Sequence, residues 1–183
     1  MIEEWKKQIG IAFLVKQKIW ELDQGRLWPL HYPELGATED KLRQVEAHVG
    51  FSLPSQYRRF LECADGWRCF YQKVDLFSTD ELLGGELMNV AGEVLEWLDA
   101  EGILCASGYS QGDVLPIGLS QEDNTLFCLA KAPQLSAGRA LWFSDKLVDT
   151  FPDFREFFLA MCDYNRLEIR YLLDERANKP RGN

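Results

Sequence analysis

The pentapeptide Gly108-Tyr109-Ser110-Gln111-Gly112 is the part of the chain whose residue types could most directly perform chemistry. It fits the pattern G-x-S-x-G, in which two glycines permit a sharp turn that exposes a nucleophilic serine between a strand and a helix. The chemistry would be acyl transfer, with Ser110 attacking an ester carbonyl while a histidine accepts its proton. A serine hydrolase is therefore the first function to test against the neighbouring segments.

The segments around Ser110 do not supply the rest of that machinery. The residues that follow, DVLPIGL, read as a strand with a proline, whereas the motif needs a helix there. The only histidines, His31 and His48, both precede Ser110, although the hydrolase order places the acid and the histidine after the serine. We therefore predict a glycine-flanked turn between strands and no catalytic residue, with a serine hydrolase as a remote alternative.

No other catalytic, cofactor or metal motif is present in the sequence. There is no H-E-x-x-H, no G-x-G-x-x-G and no phosphate-binding loop, and the carboxylate pairs are adjacent in sequence, so their side chains diverge. The five cysteines are odd in number and none lies in a C-x-x-C pair, which argues against a disulfide framework and a zinc site. We expect a protein that is not an enzyme, with no cofactor and no metal.

The N-terminal residues lack the features of a targeting or membrane segment. Glu3 and Glu4 stand where a signal peptide is positive, and the apolar run IGIAFLV is far shorter than the ~20 residues of a spanning helix. Cysteines outside any disulfide framework suit a reducing compartment. The expected location is the cytoplasm.

Charge is distributed unevenly along the 183 residues. Between Val74 and Ala130 there are eleven acidic residues and no lysine or arginine, whereas the rest of the chain carries 18 acids and 20 bases. The net charge of −9 therefore arises entirely in this middle third. Such a field repels nucleic acids and membranes and attracts basic proteins, so we expect a basic protein partner, no nucleic acid and no membrane. A purely solubilising surface is the alternative.

Three helices are predicted before this acidic segment. Residues 2–24 carry apolar side chains at helical spacing with lysines between them, including Lys16. A second helix begins after Thr38, a good N-cap, and ends at Gly50. The pair Leu53-Pro54 then introduces a third helix, because proline suits a first helical turn.

From Trp67 onwards the pattern becomes that of strands. The predicted strands are WRCFYQKVDLF, GILCAS, DVLPIGL with Pro116 at an edge or a bulge, NTLFCLA, and a final strand with a turn in RALWFSDKLVDTF. A helix in VAGEVLEWLDAEG is predicted to be buried through Val90, Val94, Trp97 and Leu98. A C-terminal helix, capped by Asp149 or Thr150, closes the chain. This order predicts an α+β fold with a mixed, mostly antiparallel sheet packed by N- and C-terminal helices.

Residues 37–67, ATEDKLRQVEAHVGFSLPSQYRRFLECADGW, resemble the signature of the SUKH superfamily. The shared features are a capped helix, a glycine, a Leu-Pro pair, an aromatic residue, a Phe-Leu pair and a glycine turn. They fall on Thr38, Gly50, Leu53-Pro54, Tyr57, Phe60-Leu61 and Gly66. The turn departs mildly from the family, since Asp65-Gly66-Trp67 stands where Asn-Gly-Gly is frequent. The segments VLPIG with NTLFCLA, and DTFPDFREFFLAM, are similar to the family's strand pair and closing helix.

The resemblance implies a single SUKH-like domain over residues 1–183. The family core would span 38–162, with an extra helix and loop at 1–36 and a frayed tail at 178–183. Many bacterial members are immunity proteins that neutralise a toxin, often a nuclease, and other relatives regulate fungal cell-wall synthesis. The family shares no catalytic residues. We therefore predict a protein-binding module, an immunity protein for a cognate basic toxin, with a housekeeping regulatory module as the alternative.

The acidic segment supplies the predicted partner-binding residues. An inhibitor of a nuclease can match the basic, phosphate-binding surface of that enzyme with carboxylates on a firm scaffold. The predicted contacts are Trp67 as an aromatic anchor, with Asp80, Glu81, Tyr109, Asp113, Glu122 and Asp123 around it. The N-terminal helix is expected either to pack on its own chain or to form a homodimer.

Overall fold

Seven helices and six strands make up the part of the chain that the computed structural model describes, residues 2–24, 26–131 and 138–178. The helices are α1 (Ile2–Asp23), α2 (Glu39–Val49), α3 (Ser55–Cys63), α4 (Thr79–Leu82), α5 (Glu86–Ala100), α6 (Ile103–Ala106) and α7 (Phe154–Asn178). The strands are β1 (Trp67–Tyr71), β2 (Val74–Leu76), β3 (Val114–Ser120), β4 (Leu126–Ala130), β5 (Ala140–Phe143) and β6 (Leu147–Phe151). Of the predicted tail, 179–183 lie outside the described residues.

The six strands form one sheet in which the order along the chain is also the order in space, from β1 to β6. The α+β class is confirmed, and the sheet predicted to be mostly antiparallel is antiparallel at every pairing of the described strands. Pro116 lies at a register shift in β3, an interior strand, so it marks a bulge and not an edge.

Two segments predicted to contain one strand each, the second with a turn, are hairpins. WRCFYQKVDLF forms β1 and β2, because Gln72 adopts a φ of 50° and turns the chain between them. RALWFSDKLVDTF likewise forms β5 and β6, with Ser144 donating its amide proton to the carbonyl of Lys146 in the connecting turn. In the first segment the turn residues interrupt an alternation that otherwise reads as one long strand, and in the second the predicted turn is followed by a further strand.

Two further predictions at element boundaries are wrong. GILCAS is not a strand, because Gly102, at φ 72°, reverses the chain after α5 and residues Ile103–Ala106 form α6. The C-terminal helix is not capped by Asp149 or Thr150, which belong to β6. Asp153 takes that role and accepts a hydrogen bond from the amide of Glu156 at 2.9 Å.

The helix of the family signature has the predicted ends. The hydroxyl oxygen of Thr38 accepts a hydrogen bond from the amide of Lys41 at 3.3 Å, which satisfies a free donor of the first turn of α2. Gly50 ends α2 with a φ of 80°, a left-handed conformation that glycine adopts without steric cost. Pro54 precedes the first residue of α3, as predicted.

An aromatic layer joins α1, α3 and α7 to one face of the sheet. Phe157 and Phe158 of α7 are fully buried, as their spacing predicts. The ring of Phe158 lies 5.3 Å from that of Trp5 in α1 and 5.1 Å from that of Phe70 in β1. The ring of Phe157 meets that of Phe127 in β4 at 4.8 Å, edge to face.

The N- and C-terminal helices pack against each other. Beyond the aromatic layer, Ile19, Leu22 and Leu172 form a second, smaller apolar cluster of buried residues. The guanidinium of Arg176 donates a hydrogen bond to the carbonyl of Leu22 at the end of α1. The N-terminal helix therefore packs on its own chain, and the homodimer stays a prediction.

The other face of the sheet is covered by α5. Every residue of β3 and β4 is buried, which requires cover on both sides of these strands, and α5 contacts β3. The fully buried residues of α5 are Ala91, Leu95 and Leu98, and Val90 and Val94 of the predicted side are partly buried against the core, so only Trp97 of that side is misplaced. Apolar residues form two adjacent stripes on this helix, and packing on the sheet selects one and leaves Trp97 exposed.

One lysine predicted on the polar side of α1 is inside the protein. Lys16 is only 6% exposed and donates a hydrogen bond to the carbonyl of Cys69. Burial lowers the pKa of Lys16 to about 8, because the charged ammonium loses its hydration.

Substituting methionine for Lys16 is expected to stabilise the protein at pH 7 and to lose part of that advantage as the pH rises. Above pH 8 the unfolded chain holds more protons on Lys16 than the folded chain, so the stability of the wild type rises towards pH 10.5 relative to the variant. Between about pH 7 and 9.5 the difference should shrink by about 2 kcal/mol. Urea unfolding of both proteins at each pH measures it, and a constant difference contradicts the assignment.

Candidate functional site

The outer face of α5 carries glutamates around an exposed tryptophan. Glu86, Glu93 and Glu96 are exposed, and Trp97 is 38% exposed beside them. Glu93 and Glu101 stand four residues before and after Trp97, which places one carboxylate on each side of the indole. In the part of the chain that the structure describes, none of these glutamates takes part in an ion pair.

The negative charges at the C-terminal end of α5 stand where they oppose helix formation. Its last turn contains Asp99 and no basic residue, and Glu101 follows as the C-cap. A helix C-terminus carries a negative partial charge, so each carboxylate there costs several tenths of a kcal/mol. A charge that weakens its own helix is expected where the helix serves a contact with something else.

A cleft of about 560 Å³ opens beside the N-terminal end of α5. Its walls come from the loop before α2, the α3–β1 turn, β2, α4 and the first turn of α5. Among the described residues of its lining, Arg68 is the only basic one, and the acids are Glu34, Asp65, Asp75, Asp80, Glu81 and Glu86. Glu86 belongs to both the cleft and the outer face of α5, and we call the two together the α5–cleft surface.

Three carboxylates of the cleft are used by the fold itself, and one of them, Asp75, accepts a hydrogen bond from the amide of Cys69 at 2.6 Å. Asp65 accepts hydrogen bonds from the amide and the hydroxyl of Thr79, at 2.6 and 2.7 Å, and Thr79 is fully buried at the start of α4. Glu81 accepts one from the amide of Leu87 at 2.9 Å and so caps α5, whose N-cap glycine has no side chain to do so. These bonds fix the wall of the cleft.

Two predicted contact residues are paired with lysines that lie outside the acidic segment. Lys41 Nζ is 2.7 Å from Asp80 Oδ1, and Lys73 Nζ is 2.8 Å from Glu122 Oε1. Exposed pairs of this kind add little stability, but each reduces the local negative charge. Asp123 accepts a hydrogen bond from the amide of Thr125 at 2.8 Å and shapes the β3–β4 turn.

Trp67 is part of the core and does not serve as an aromatic anchor. It is 1% exposed, its ring lies 5.5 Å from that of Phe70, and its indole N–H donates to the carbonyl of His31 at 2.9 Å. Trp97, by contrast, is exposed among acids, although its apolar neighbours in the sequence predict that it is buried. Glutamates at positions 86, 93 and 96, which share a helix face, are the signal that could have revealed it.

The helix α5 joins the two groups of predicted contact residues. One group is Glu122 with Asp123; these residues follow Gln121, which lines the cleft together with Glu86, the first residue of α5. The other group is Tyr109 with Asp113; it lies near the far end of α5, where α6 leads to the 3-10 turn Gln111–Asp113 and this turn contacts α5. These groups stand at opposite ends of the seven-residue strand β3, roughly 23 Å apart at 3.3 Å per residue. Tyr109 of the second group packs half-buried against the core.

Ser110 caps the 3-10 turn and is not arranged as a nucleophile. The turn joins α6 to β3, so a helix precedes the serine and a strand follows it, the opposite of the strand–serine–helix order of a serine hydrolase. The prediction that this turn joins two strands is therefore wrong. The hydroxyl and the amide of Ser110 both donate to Asp113 Oδ2, at 2.6 and 2.9 Å. The hydrogen bond from the hydroxyl, followed by that from the amide, lowers the pKa of Asp113.

Substituting alanine for Ser110 is expected to raise the pKa of Asp113 towards its ordinary value, because the carboxylate loses its hydroxyl donor. A carbon-13 NMR titration of the Asp113 carboxyl group measures the shift. Ser107→Ala is the matched control, since the Ser107 hydroxyl donates to the carbonyl of Ile103 instead. Labelling of wild-type Ser110 by a fluorophosphonate probe would contradict the capping role and restore the hydrolase alternative.

The described residues show neither a metal site nor a helix that could cross a membrane. Among the described residues, no three His, Cys, Asp or Glu side chains group in a way that could hold a metal ion. Within the same residues, no helix combines the length and apolar character needed to cross a membrane.

A sequence model of the SMI1/KNR4 family (SUKH-1) matches residues 36–160, well over half of the chain. A search of curated proteins finds no match.

Proposed function

Because the chain belongs to the SMI1/KNR4 family (SUKH-1), we propose that it is a non-catalytic protein-binding module and acts as an immunity protein that neutralises a basic toxin. The proposed contact region is the α5–cleft surface. Asp113 and Tyr109 flank it at one end, and Glu122 and Asp123 at the other. A nuclease fits this surface best, since such an enzyme must hold phosphates with lysines and arginines.

The observation that carries the proposal is the exposed Trp97 among glutamates that no base in the described residues neutralises. Tryptophan is frequent among the residues that dominate binding energy, and its ring face attracts arginine and lysine. Carboxylates around it steer a basic partner and raise its association rate. A partner cation at the acidic last turn of α5 would also offset the unfavourable charge at that helix end.

Two experiments in sequence test the proposal. Purification of the tagged chain from the organism that encodes it is expected to recover a basic protein in one-to-one ratio. Expression of that protein alone is expected to arrest growth of a test strain, and co-expression of the chain to restore it. A recovered partner that harms no cell favours the housekeeping regulatory module, and the absence of any stoichiometric partner contradicts both readings.

A further inference from the structure

A small cavity lies between α1, α7 and the β1–β2 hairpin, in the layer on the other side of the sheet from α5. Its volume is about 30 Å³, which at ~10–15 Å³ per water holds about two or three waters. The same space suits one molecule of three or four covalently bonded heavy atoms. The rings of Trp28, Tyr71 and Tyr164 line it. Flat walls of this kind suit a small planar molecule.

The cavity gathers buried donors, and no carboxylate among the described residues forms an ion pair with the lysine among them. Lys16 lines it and uses one of its three ammonium protons for the carbonyl of Cys69. The fully buried indole N–H of Trp28, also in the lining, has no acceptor within the described ranges. Asn165 adds an amide that is 6% exposed. The one carboxylate of the lining, Glu168, forms no ion pair with Lys16 in the described part of the chain.

We propose that this cavity binds a small planar monovalent oxyanion, of the size and charge of formate, nitrate or bicarbonate. Its oxygens would accept hydrogen bonds from the Lys16 ammonium and the Trp28 indole, and its charge would balance the buried cation. A water molecule could accept from Trp28 but would leave the charge of Lys16 unbalanced. Burial alone lowers the pKa of Lys16, and a bound anion would act in the opposite direction.

The test is the unfolding temperature as a function of sodium formate, nitrate or bicarbonate, with sodium gluconate, whose anion is too large for the cavity, holding ionic strength constant. The wild type is expected to gain stability with at least one of the three, and the gain should saturate, because the ligand binds only the folded state. Lys16→Met should abolish the gain. Trp28→Phe should weaken apparent binding by about tenfold, the effect of one lost hydrogen bond.

Lys18→Met is the matched control, because Lys18 lies on the same helix with its side chain exposed and should respond as the wild type does. A second measurement does not depend on any variant: the indole N–H resonance of Trp28 should shift with the anion and saturate at the same concentration. No saturating gain, an equal gain in Lys16→Met, or an equal effect of chloride would overturn the proposal.

Discussion

Substituting lysine for both Glu93 and Glu96 is expected to weaken binding of the proposed basic partner by about two orders of magnitude, because attraction across the α5–cleft surface becomes repulsion. Most of the loss should lie in the association rate and shrink with added salt, since the affected charges are exposed. Folding should not suffer, because Glu96→Lys puts a cation near the negative end of α5. Stopped-flow binding at low and high salt, with a thermal melt of each protein, measures both effects.

The control is the double substitution Asp174→Lys with Glu175→Lys, which makes the same change in net charge on the exposed C-terminal part of α7. It should leave the association rate nearly unchanged. Equal weakening by both pairs would mean that the partner senses only overall charge and that α5 is not its contact. Trp97→Ala should instead act on the dissociation rate, because the indole contributes after the surfaces have met.

Removing the Asp65 carboxylate is expected to cost about 3 kcal/mol of folding free energy, which is large for a single polar side chain. In Asp65→Ala the hydroxyl and amide of buried Thr79 lose their acceptor, and the α3–β1 turn is no longer tied to α4. Urea unfolding measures the loss.

Two variants sharpen this stability prediction. Asp65→Asn, the residue frequent at this turn in the wider superfamily, keeps one acceptor oxygen and should cost about half as much. Asp80 lies on α4, the same short helix as Thr79, and its exposed carboxylate pairs with Lys41 of α2. Asp80→Ala should therefore change stability by less than about 1 kcal/mol. A loss below that value for Asp65→Ala would show that solvent satisfies Thr79 as well as the carboxylate does.

Local patterns predicted the elements that depend on local physics. The limits of α2 follow from an N-cap hydroxyl at Thr38 and a left-handed glycine at Gly50, and both act within one turn of the chain. The strands β3 and β4 follow from short apolar runs between turn residues. The exposure of Trp97 could not be predicted, because it lies among apolar residues of α5 and only contact with β3 decides which of them are buried.

The candidate site shows the same division between local and distant effects. A run of acids without bases located the negative segment, but not the lysines that other elements bring to it. Lys41 and Lys73 lie outside that segment and neutralise Asp80 and Glu122. Trp67 likewise offers no local sign of burial, which depends on Phe70 and on the distant carbonyl of His31. The net charge of a contact surface can therefore be determined only when the fold is known, because residues distant in sequence contribute to it.

The packing of α1 on α7 joins the two ends of the described chain into one unit. α1 precedes the matched residues 36–160, and α7 continues 18 residues past them. The cluster of Ile19, Leu22 and Leu172 exists only when both are present. Because this contact closes a loop of roughly 150 residues, we expect it to form after the neighbouring hairpins of the sheet. Loss of either end of the chain would thus leave the other helix with an uncovered apolar face, so each end depends on the other for its stability.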